Sequence, residues 1–257
     1  MTAKLIINAA GQSDQGKVRT LNQDCFLVNH QLALYAVADG IEAAKYSEVA
    51  SRTAVEWLEK MLKDLNLSQD ATPPFDDNPG LPLEVRSLKY AFREVNRQIY
   101  QMSRDNPKYR GFGTTLTAVW IREGKAFIGH IGDSRAYLIR KSIIQQLTSD
   151  HTTLAEKIPD RPRDIELYQE DDNISEHELS RAVGINPDVQ VQLGSGALAP
   201  GDRFVLCTDG LYGQLRNFEI AQAALHNNPA AACMKLIQMA NQRGGQDNIA
   251  VVVIAIE

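Results

Sequence analysis

The sequence has few cysteines and no long apolar run. Its three cysteines, Cys25, Cys207 and Cys233, are far apart and show no CxxC spacing, so we expect reduced thiols rather than a disulfide framework or a thiolate metal site. The longest apolar run, residues 249–256, is too short to cross a bilayer, and the N-terminal apolar run is too short for a signal peptide. We therefore expect a cytoplasmic protein with no membrane association.

An excess of positive charge is also missing. The 257 residues carry 27 Lys and Arg against 32 Asp and Glu, which gives a formal net charge of −5. A nucleic-acid groove needs a basic footprint in which Lys and Arg alternate with aromatic residues. We therefore expect no nucleic-acid partner. The hydrophobic content of 44% and the charged content of 23% are typical of an ordinary globular chain.

Two amphipathic helices are predicted in the first half of the chain. Apolar residues recur at helical spacing between Val49 and Leu65, and again between Val85 and Met102, where Pro82 suits a first helical turn. The connection SQDATPPFDDNPGLP contains four prolines, which excludes regular structure there. We expect the two helices to pack antiparallel.

Strands dominate the rest of the first two-thirds. The segments TTLTAVWIR, KAFIGHI, SRAYLIR and SIIQQL are short and rich in β-branched or aromatic residues, which predicts an antiparallel meander. A polar, acidic stretch at about 149–180 predicts an inserted flap. Strands and two helices (about 217–226 and 229–242) resume after it, so we expect one α+β domain, residues 1–257, of two sheets with helices outside.

Four carboxylates stand at the ends of predicted strands. Asp39 and Asp209 each precede a glycine, Asp133 follows a third strand, and Asp247 precedes the last one. A single Asp-Gly pair is typical of a turn, and a turn also explains Asp133 almost as well as a site does. Four carboxylates gathered at one edge would repel one another unless a cation neutralised them. Oxygen ligands without His or Cys suit Mg²⁺ or Mn²⁺.

Eight short motifs occur in a fixed order along the chain. Together they resemble the metal-dependent protein phosphatases, the type 2C or PPM family of serine/threonine phosphatases, in its bacterial form. The resemblance implies a four-layer α-β-β-α sandwich of two antiparallel sheets flanked by antiparallel helix pairs, with metals in a cleft at one end and the flap near it. The motifs are RTLNQD (19–24), VADG (37–40), GTTLTA (113–118), IGDSRAYLIR (131–140), LTSDHT (147–152), RAVG (181–184), GDRFVLCTDGL (201–211) and GGQDNIAVVVI (244–254).

The resemblance also implies a metal centre with named ligands. Asp39 corresponds to the carboxylate that bridges two divalent cations, Mn²⁺ or Mg²⁺, and the Gly40 carbonyl is a further ligand of one of them. Asp209 and Asp247 complete the ligands of the other. In such a centre a bridging hydroxide attacks the phosphate directly, so no phosphorylated enzyme forms.

Three further residues take roles from the same resemblance. Arg19 corresponds to the phosphate-binding arginine, whose planar fork holds two phosphoryl oxygens. Asp133, with Asp209, corresponds to ligands of a third, weaker metal near the flap. Asp24 corresponds to a carboxylate that accepts hydrogen bonds from metal-bound water.

The segment behind Asp39 departs from the family pattern. Bacterial relatives commonly read Asp-Gly-Met-Gly-Gly, whereas residues 41–44 here are Ile-Glu-Ala-Ala. Glu42 either strengthens cation binding or points to solvent, and we favour solvent. Ile41 stands where eukaryotic relatives place a histidine that protonates the leaving group, so that proton would come from water.

Two functions of different classes are compatible with these residues. One is an active phosphatase acting on phosphoserine and phosphothreonine, which we expect to be a monomer and to oppose a bacterial Ser/Thr kinase. The other is a weakly active or inactive relative that binds phosphoproteins as a regulatory module. A degenerate relative should have lost one of Asp39, Asp209 or Asp247, and this sequence keeps all three. We therefore predict activity on phosphorylated proteins, including a cognate kinase or its substrates, while a nucleotide or sugar phosphatase stays open.

Overall fold

The computed structural model describes residues 5–41, 45–65, 80–152 and 179–257. Glu42, most of the proline-rich connection and most of the predicted flap therefore lie outside the described residues. Within the described ranges, no helix has the length and apolar character needed to span a bilayer.

Groups of strands and groups of helices follow one another along the described residues. The first half contains β1 (Ile7–Asp14), β2 (Asp24–Asn29), β3 (Leu34–Asp39), α1 (Ser47–Asp64), α2 (Leu83–Asp105), β4 (Leu116–Arg122), β5 (Lys125–Ile131), β6 (Arg135–Arg140) and β7 (Ile143–Gln146). The second half contains β8 (Gln192–Ala197), β9 (Arg203–Cys207), α3 (Asp209–Tyr212), α4 (Asn217–Leu225), α5 (Pro229–Gln242) and β10 (Ile249–Ile256).

Two antiparallel sheets of five strands form the centre of the fold. The first sheet has the order β1-β10-β9-β6-β7 and the second has the order β2-β3-β4-β5-β8. Side chains alternate along each strand, so β3 directs Tyr35 and Val37 towards the first sheet while Leu34 and Ala36 face the helices. The core between the sheets also includes Val252.

Helices cover both outer faces. Leu58 of α1 and Phe92 of α2 pack on the second sheet, and Ile220 of α4 and Leu236 of α5 pack on the first sheet. The result is four layers, α-β-β-α. The predicted α+β sandwich is confirmed, and the helix predicted after Pro82 begins at Leu83.

The predicted four-stranded meander is wrong. β4 pairs with β5 in the second sheet, but β6 and β7 pair in the first sheet. The chain changes sheets between them at Gly132, which has a φ of +107° and lies so close to Thr115 that an added Cβ would come within 2.6 Å of the Thr115 Cβ. Glycine alone among the common residues adopts this backbone readily, and the crossing places Asp133 at the end of the sandwich.

Candidate active site

The end of β3 places Asp39 beside the start of β2. Asp39 is in register with Asp24 on the neighbouring strand. The Asp39 backbone N–H donates to Thr115 Oγ1 at 2.9 Å, and its carbonyl accepts from the Thr115 N–H at 2.8 Å. Gly40 packs so closely on α1 that an added Cβ would lie 2.6 Å from the Ser47 carbonyl oxygen. The backbone that carries both predicted ligands is therefore fixed on two sides.

The first sheet contributes Asp209 and Asp247 from the ends of adjacent strands. Asp209 follows β9 and opens α3, and Asp247 lies two residues before β10. Between the two sheets, Thr208 Oγ1 donates to Asp24 Oδ2 at 2.7 Å and accepts from the Ala250 N–H at 2.8 Å. Thr208 therefore joins the carboxylates of one sheet to those of the other.

Arg19 contacts a predicted metal ligand in this structure. Its Nη2 donates to Asp247 Oδ2 at 2.7 Å, and the other Asp247 oxygen accepts from the Asn248 N–H at 2.8 Å. Both side chains of this ion pair are partly exposed. The arginine is thus held at the carboxylate cluster rather than extended into solvent.

Asp133 is fixed from the opposite side by Tyr212. Asp133 is buried, with 6% of the residue exposed. The Tyr212 hydroxyl donates to the Asp133 carbonyl at 3.1 Å. The Arg135 guanidinium lies 3.6 Å from the centre of the Tyr212 ring and binds Asp150 through two nitrogens. Such cation–π packing fixes the ring, so the bulky Tyr212 supports the turn that carries Asp133.

The pKa values show that the carboxylates act on one another. Burial, together with the charges of Asp209 and Asp247 and against the lowering effect of the Thr208 hydrogen bond, raises the pKa of Asp24 to about 8. Burial, followed by the charges of Asp24 and Asp209, raises the pKa of Asp39 well above its ordinary value. Burial and Asp209 raise the pKa of Asp133 to about 7. The structure therefore brings the predicted carboxylates into one electrostatic cluster, in which ionised forms are disfavoured without a cation.

The donor set fits divalent cations in its chemistry. It consists of carboxylate and carbonyl oxygens, and Asp24 Oδ1 is buried without a hydrogen-bond partner among the described residues, as expected of an atom that accepts from a bound water. Across the described ranges, no three His, Cys, Asp or Glu side chains are already spaced to hold a single ion. Both oxygens of Asp247 are occupied by Arg19 and Asn248.

The buried histidines do not provide a competing acid or base. His130 is fully buried and bonds Thr117 through Nδ1, and burial, followed by the charge of His151, lowers its pKa to about 3. His151 Nδ1 accepts from the Gly132 N–H at 3.1 Å. Both imidazoles are therefore engaged in hydrogen bonds that support the surrounding structure.

Asn248 supports the loop beside the site, and motif reading did not single it out. Its Oδ1 accepts from the Gln23 N–H at 2.8 Å, and its Nδ2 donates to the carbonyls of Gln15 and Leu21 at 2.8 and 2.9 Å. The loop that carries Arg19 is thus fastened to the start of β10. The signal was its position directly after Asp247 in GGQDN.

Replacing Asn248 should loosen the Arg19 loop. Asn248→Ala removes three side-chain hydrogen bonds at a buried site and should lower the free energy of unfolding by about 2–4 kcal/mol in urea. Activity should fall with it. Asn228→Ala is the matched control, because it removes only the N-cap of α5 and should cost about 1 kcal/mol without loss of activity. Equal effects of the two variants would contradict this role.

Comparison with known proteins agrees with the fold. The family described as protein phosphatase 2C matches residues 13–250. The chain is 30% identical to Protein phosphatase PhpP of Streptococcus pneumoniae over 95% of each chain. It is 31% identical to Serine/threonine protein phosphatase PstP of Mycobacterium tuberculosis, over 97% of this chain and 45% of PstP. The crystal structure of the catalytic domain of a PstP in complex with 2 manganese ions superposes with a TM-score of 0.80 at 30% identity, covering 98% of this chain and 99% of that one.

The α-β-β-α sandwich with an acidic cluster at its strand ends, taken with these matches, identifies a metal-dependent phosphatase. The class can be narrowed to a family, because the family match covers residues 13–250 and the similarity to PhpP extends over 95% of each chain. It belongs to the protein phosphatase 2C family. The predictions of this family and of a protein serine/threonine phosphatase are confirmed.

Proposed function

We propose that the protein removes phosphate from phosphoserine and phosphothreonine side chains of proteins with the help of two divalent cations, Mn²⁺ or Mg²⁺. The observation that carries this proposal is the cluster of carboxylates from both sheets beside one arginine. Two such cations supply an activated water for in-line attack and neutralise phosphate charge. The manganese ions in the related PstP structure support the choice of metal.

Each carboxylate has a distinct proposed role. Asp39 would hold both cations, and the Gly40 carbonyl would be a further ligand of one of them. Asp209 and Asp247 would hold the other cation. Asp133 and Asp209 would hold a third, weaker cation, and Asp24 would accept hydrogen bonds from water in the cluster through its buried Oδ1.

Arg19 has the position and chemistry to hold the substrate phosphate. Its guanidinium lies at the cluster on Asp247, and its planar fork can donate to two phosphoryl oxygens at once. A cation held by Asp247 would share the charge of that carboxylate, and the substrate phosphate would then be the better partner for Arg19. The same side chain would thus pair with Asp247 in the metal-free protein and orient phosphate in the metal-bound one.

The regulatory-module alternative has less support. A module that only binds phosphoproteins has no need of an intact ligand set, whereas Asp39, Asp209 and Asp247 are all present and all placed at one end of the sandwich. The substrates are phosphorylated Ser/Thr proteins, among them a cognate kinase or its substrates. We further propose that residues 1–257 form one catalytic domain, which acts as a monomer in the cytoplasm.

The test is Mn²⁺-dependent hydrolysis of a phosphothreonine peptide. We expect turnover with saturating Mn²⁺ and none in excess EDTA. Arg19→Lys keeps the charge but loses the planar fork, and it should lower kcat/KM by about 10²-fold. Arg97→Lys on the exposed face of α2 is the matched control and should leave kcat/KM unchanged. Absence of turnover with saturating Mn²⁺ would refute the proposed function.

A further inference from the structure

A cavity of about 470 Å³ opens beside the proposed phosphate site. One wall is the loop between β1 and β2, and the other is the start of α1. Arg19 belongs to its lining, so the cavity begins at the residue that we assign to phosphate binding. The lining residues are Arg19, Thr20, Leu21, Gln23, Lys45, Tyr46 and Glu48.

The loop wall is held rigidly. Asn248 accepts from the Gln23 N–H and donates to the Leu21 carbonyl. The Ser51 hydroxyl of α1 donates to the Gln23 carbonyl, which ties the loop wall to the helix wall. The Leu21 side chain is nevertheless 50% exposed, so an apolar group stands on a fixed loop with much of its surface uncovered.

The helix wall is formed by Tyr46 in an unusual conformation. Tyr46 has a φ of +66° and a ψ of +24° immediately before α1, a region that bulky residues occupy only when their surroundings impose it. Its ring meets Tyr109 edge to face at 5.9 Å, and the Lys108 ammonium lies 4.4 Å from the ring centre. The ring is thus fixed in place, yet 36% of the residue stays exposed.

We propose that this cavity binds an apolar side chain of the phosphoprotein substrate, close in sequence to the phosphorylated residue. The inference rests on the proposed function and specifies its substrate class. Extended chain advances about 3.3 Å per residue, so side chains within two residues of a phosphate on Arg19 reach the cavity. Leu21 and Tyr46 supply its apolar surface, while Lys45 and Glu48 carry opposite charges that favour neither an acidic nor a basic side chain.

The experiment compares phosphothreonine peptides that differ at one position. Ala, Leu, Phe, Asp or Lys is placed at each of the two positions before and after the phosphothreonine, and kcat and KM are measured with saturating Mn²⁺. At one of these positions we expect Leu or Phe to raise kcat/KM about 10-fold over Ala. The gain should come from a lower KM, since the side chain binds equally in the ground state and the transition state.

Two variants test which residues form the cavity. Tyr46→Ala and Leu21→Ser should each reduce the preference for Leu or Phe over Ala to about 2-fold or less. Because Leu21 is half exposed, Leu21→Ser keeps the test valid even if Tyr46→Ala folds poorly. Phe218→Ala, which truncates a residue that is 60% exposed on α4, should keep the full preference.

The outcomes separate the two proposals. Mn²⁺-dependent hydrolysis of p-nitrophenyl phosphate by the parent protein tests the phosphatase alone. If the parent hydrolyses that compound but shows equal kcat/KM for all flanking residues, or prefers Asp, the apolar cavity is refuted and the phosphatase stands. A preference for Leu or Phe that survives in both variants also refutes it. Failure to hydrolyse any substrate refutes the proposed function.

Discussion

Asp39→Asn is expected to abolish turnover and, in the absence of metal, to stabilise the fold. Activity should fall on the order of 10³-fold or more, because the carboxylate proposed to contact both cations is lost. In the metal-free parent, burial and the charges of Asp24 and Asp209 hold the pKa of Asp39 well above its ordinary value. A neutral amide removes the cost of burying a charge and the repulsion from the neighbouring carboxylates. We therefore expect the free energy of unfolding in EDTA at pH 8 to rise by about 1–3 kcal/mol.

Asp202→Asn is the contrasting control. Asp202 is also buried, with 1% of the residue exposed, but it binds Arg140 through both oxygens at 2.7 and 2.6 Å. Removing the charge of a buried, paired carboxylate should lower stability by about 1–3 kcal/mol and leave activity unchanged. If Asp39→Asn destabilises the metal-free protein as Asp202→Asn does, the proposed repulsion within the cluster is wrong.

The stability of the metal-free protein should fall as the pH rises, and Mn²⁺ should reverse the trend. Unfolded aspartates have a pKa near 4, whereas the pKa of Asp24 is about 8 and that of Asp133 about 7 in the fold. Between about pH 4 and pH 8 the folded state therefore binds more protons than the unfolded state, so the free energy of unfolding decreases with pH. The contribution of these two carboxyls to the free energy of unfolding is largest below pH 4, and it is lost completely above pH 8.

Thermal unfolding in EDTA and in Mn²⁺ measures this directly. In EDTA we expect the free energy of unfolding to decrease by several kcal/mol across the window, since each pKa unit by which a folded carboxyl differs from its unfolded value corresponds to about 1.4 kcal/mol. Two sites filled at 100 times Kd add about 5 kcal/mol, which for a chain of this length raises Tm by about 10 °C or more. Because cations bind ionised carboxylates, the rise in Tm should be larger at pH 8 than at pH 5. An equal rise at both values would contradict the proposed ligand set.

Much of the fold could be predicted because each element has a local signal. The apolar stripe from Val85 to Met102 specified α2, and the carboxylates at the strand ends specified the cluster. The prediction of a meander was wrong because the pair Gly132-Asp133 is compatible with two paths of the chain. The chain can turn back within one sheet at this pair, or it can cross to the other sheet. The difference depends on contact with Thr115, which no local pattern contains.

The supporting contacts of the site were harder to predict for a related reason. Asn248 binds Gln23 and Leu21 from more than 200 residues away in sequence, and Tyr212 reaches the Asp133 carbonyl across 79 positions. A sequence motif identifies a residue that takes part in the chemistry, because that chemistry constrains the residue type. A motif does not identify the neighbour that holds the residue in position, because an amide or hydroxyl from many places in the chain can make the same hydrogen bond.

The division of the carboxylates between the two sheets has a consequence for how the protein unfolds. Asp24 and Asp39 belong to the second sheet, and Asp209 and Asp247 extend from the first. Cations held by both groups would tie the sheets together at one end, so the affinity for metal and the cohesion of the inter-sheet core become parts of a single equilibrium. A substitution deep between the sheets, far from any ligand, can therefore change how tightly metal is held, and the metal content of a cell can set how much core variation the protein tolerates.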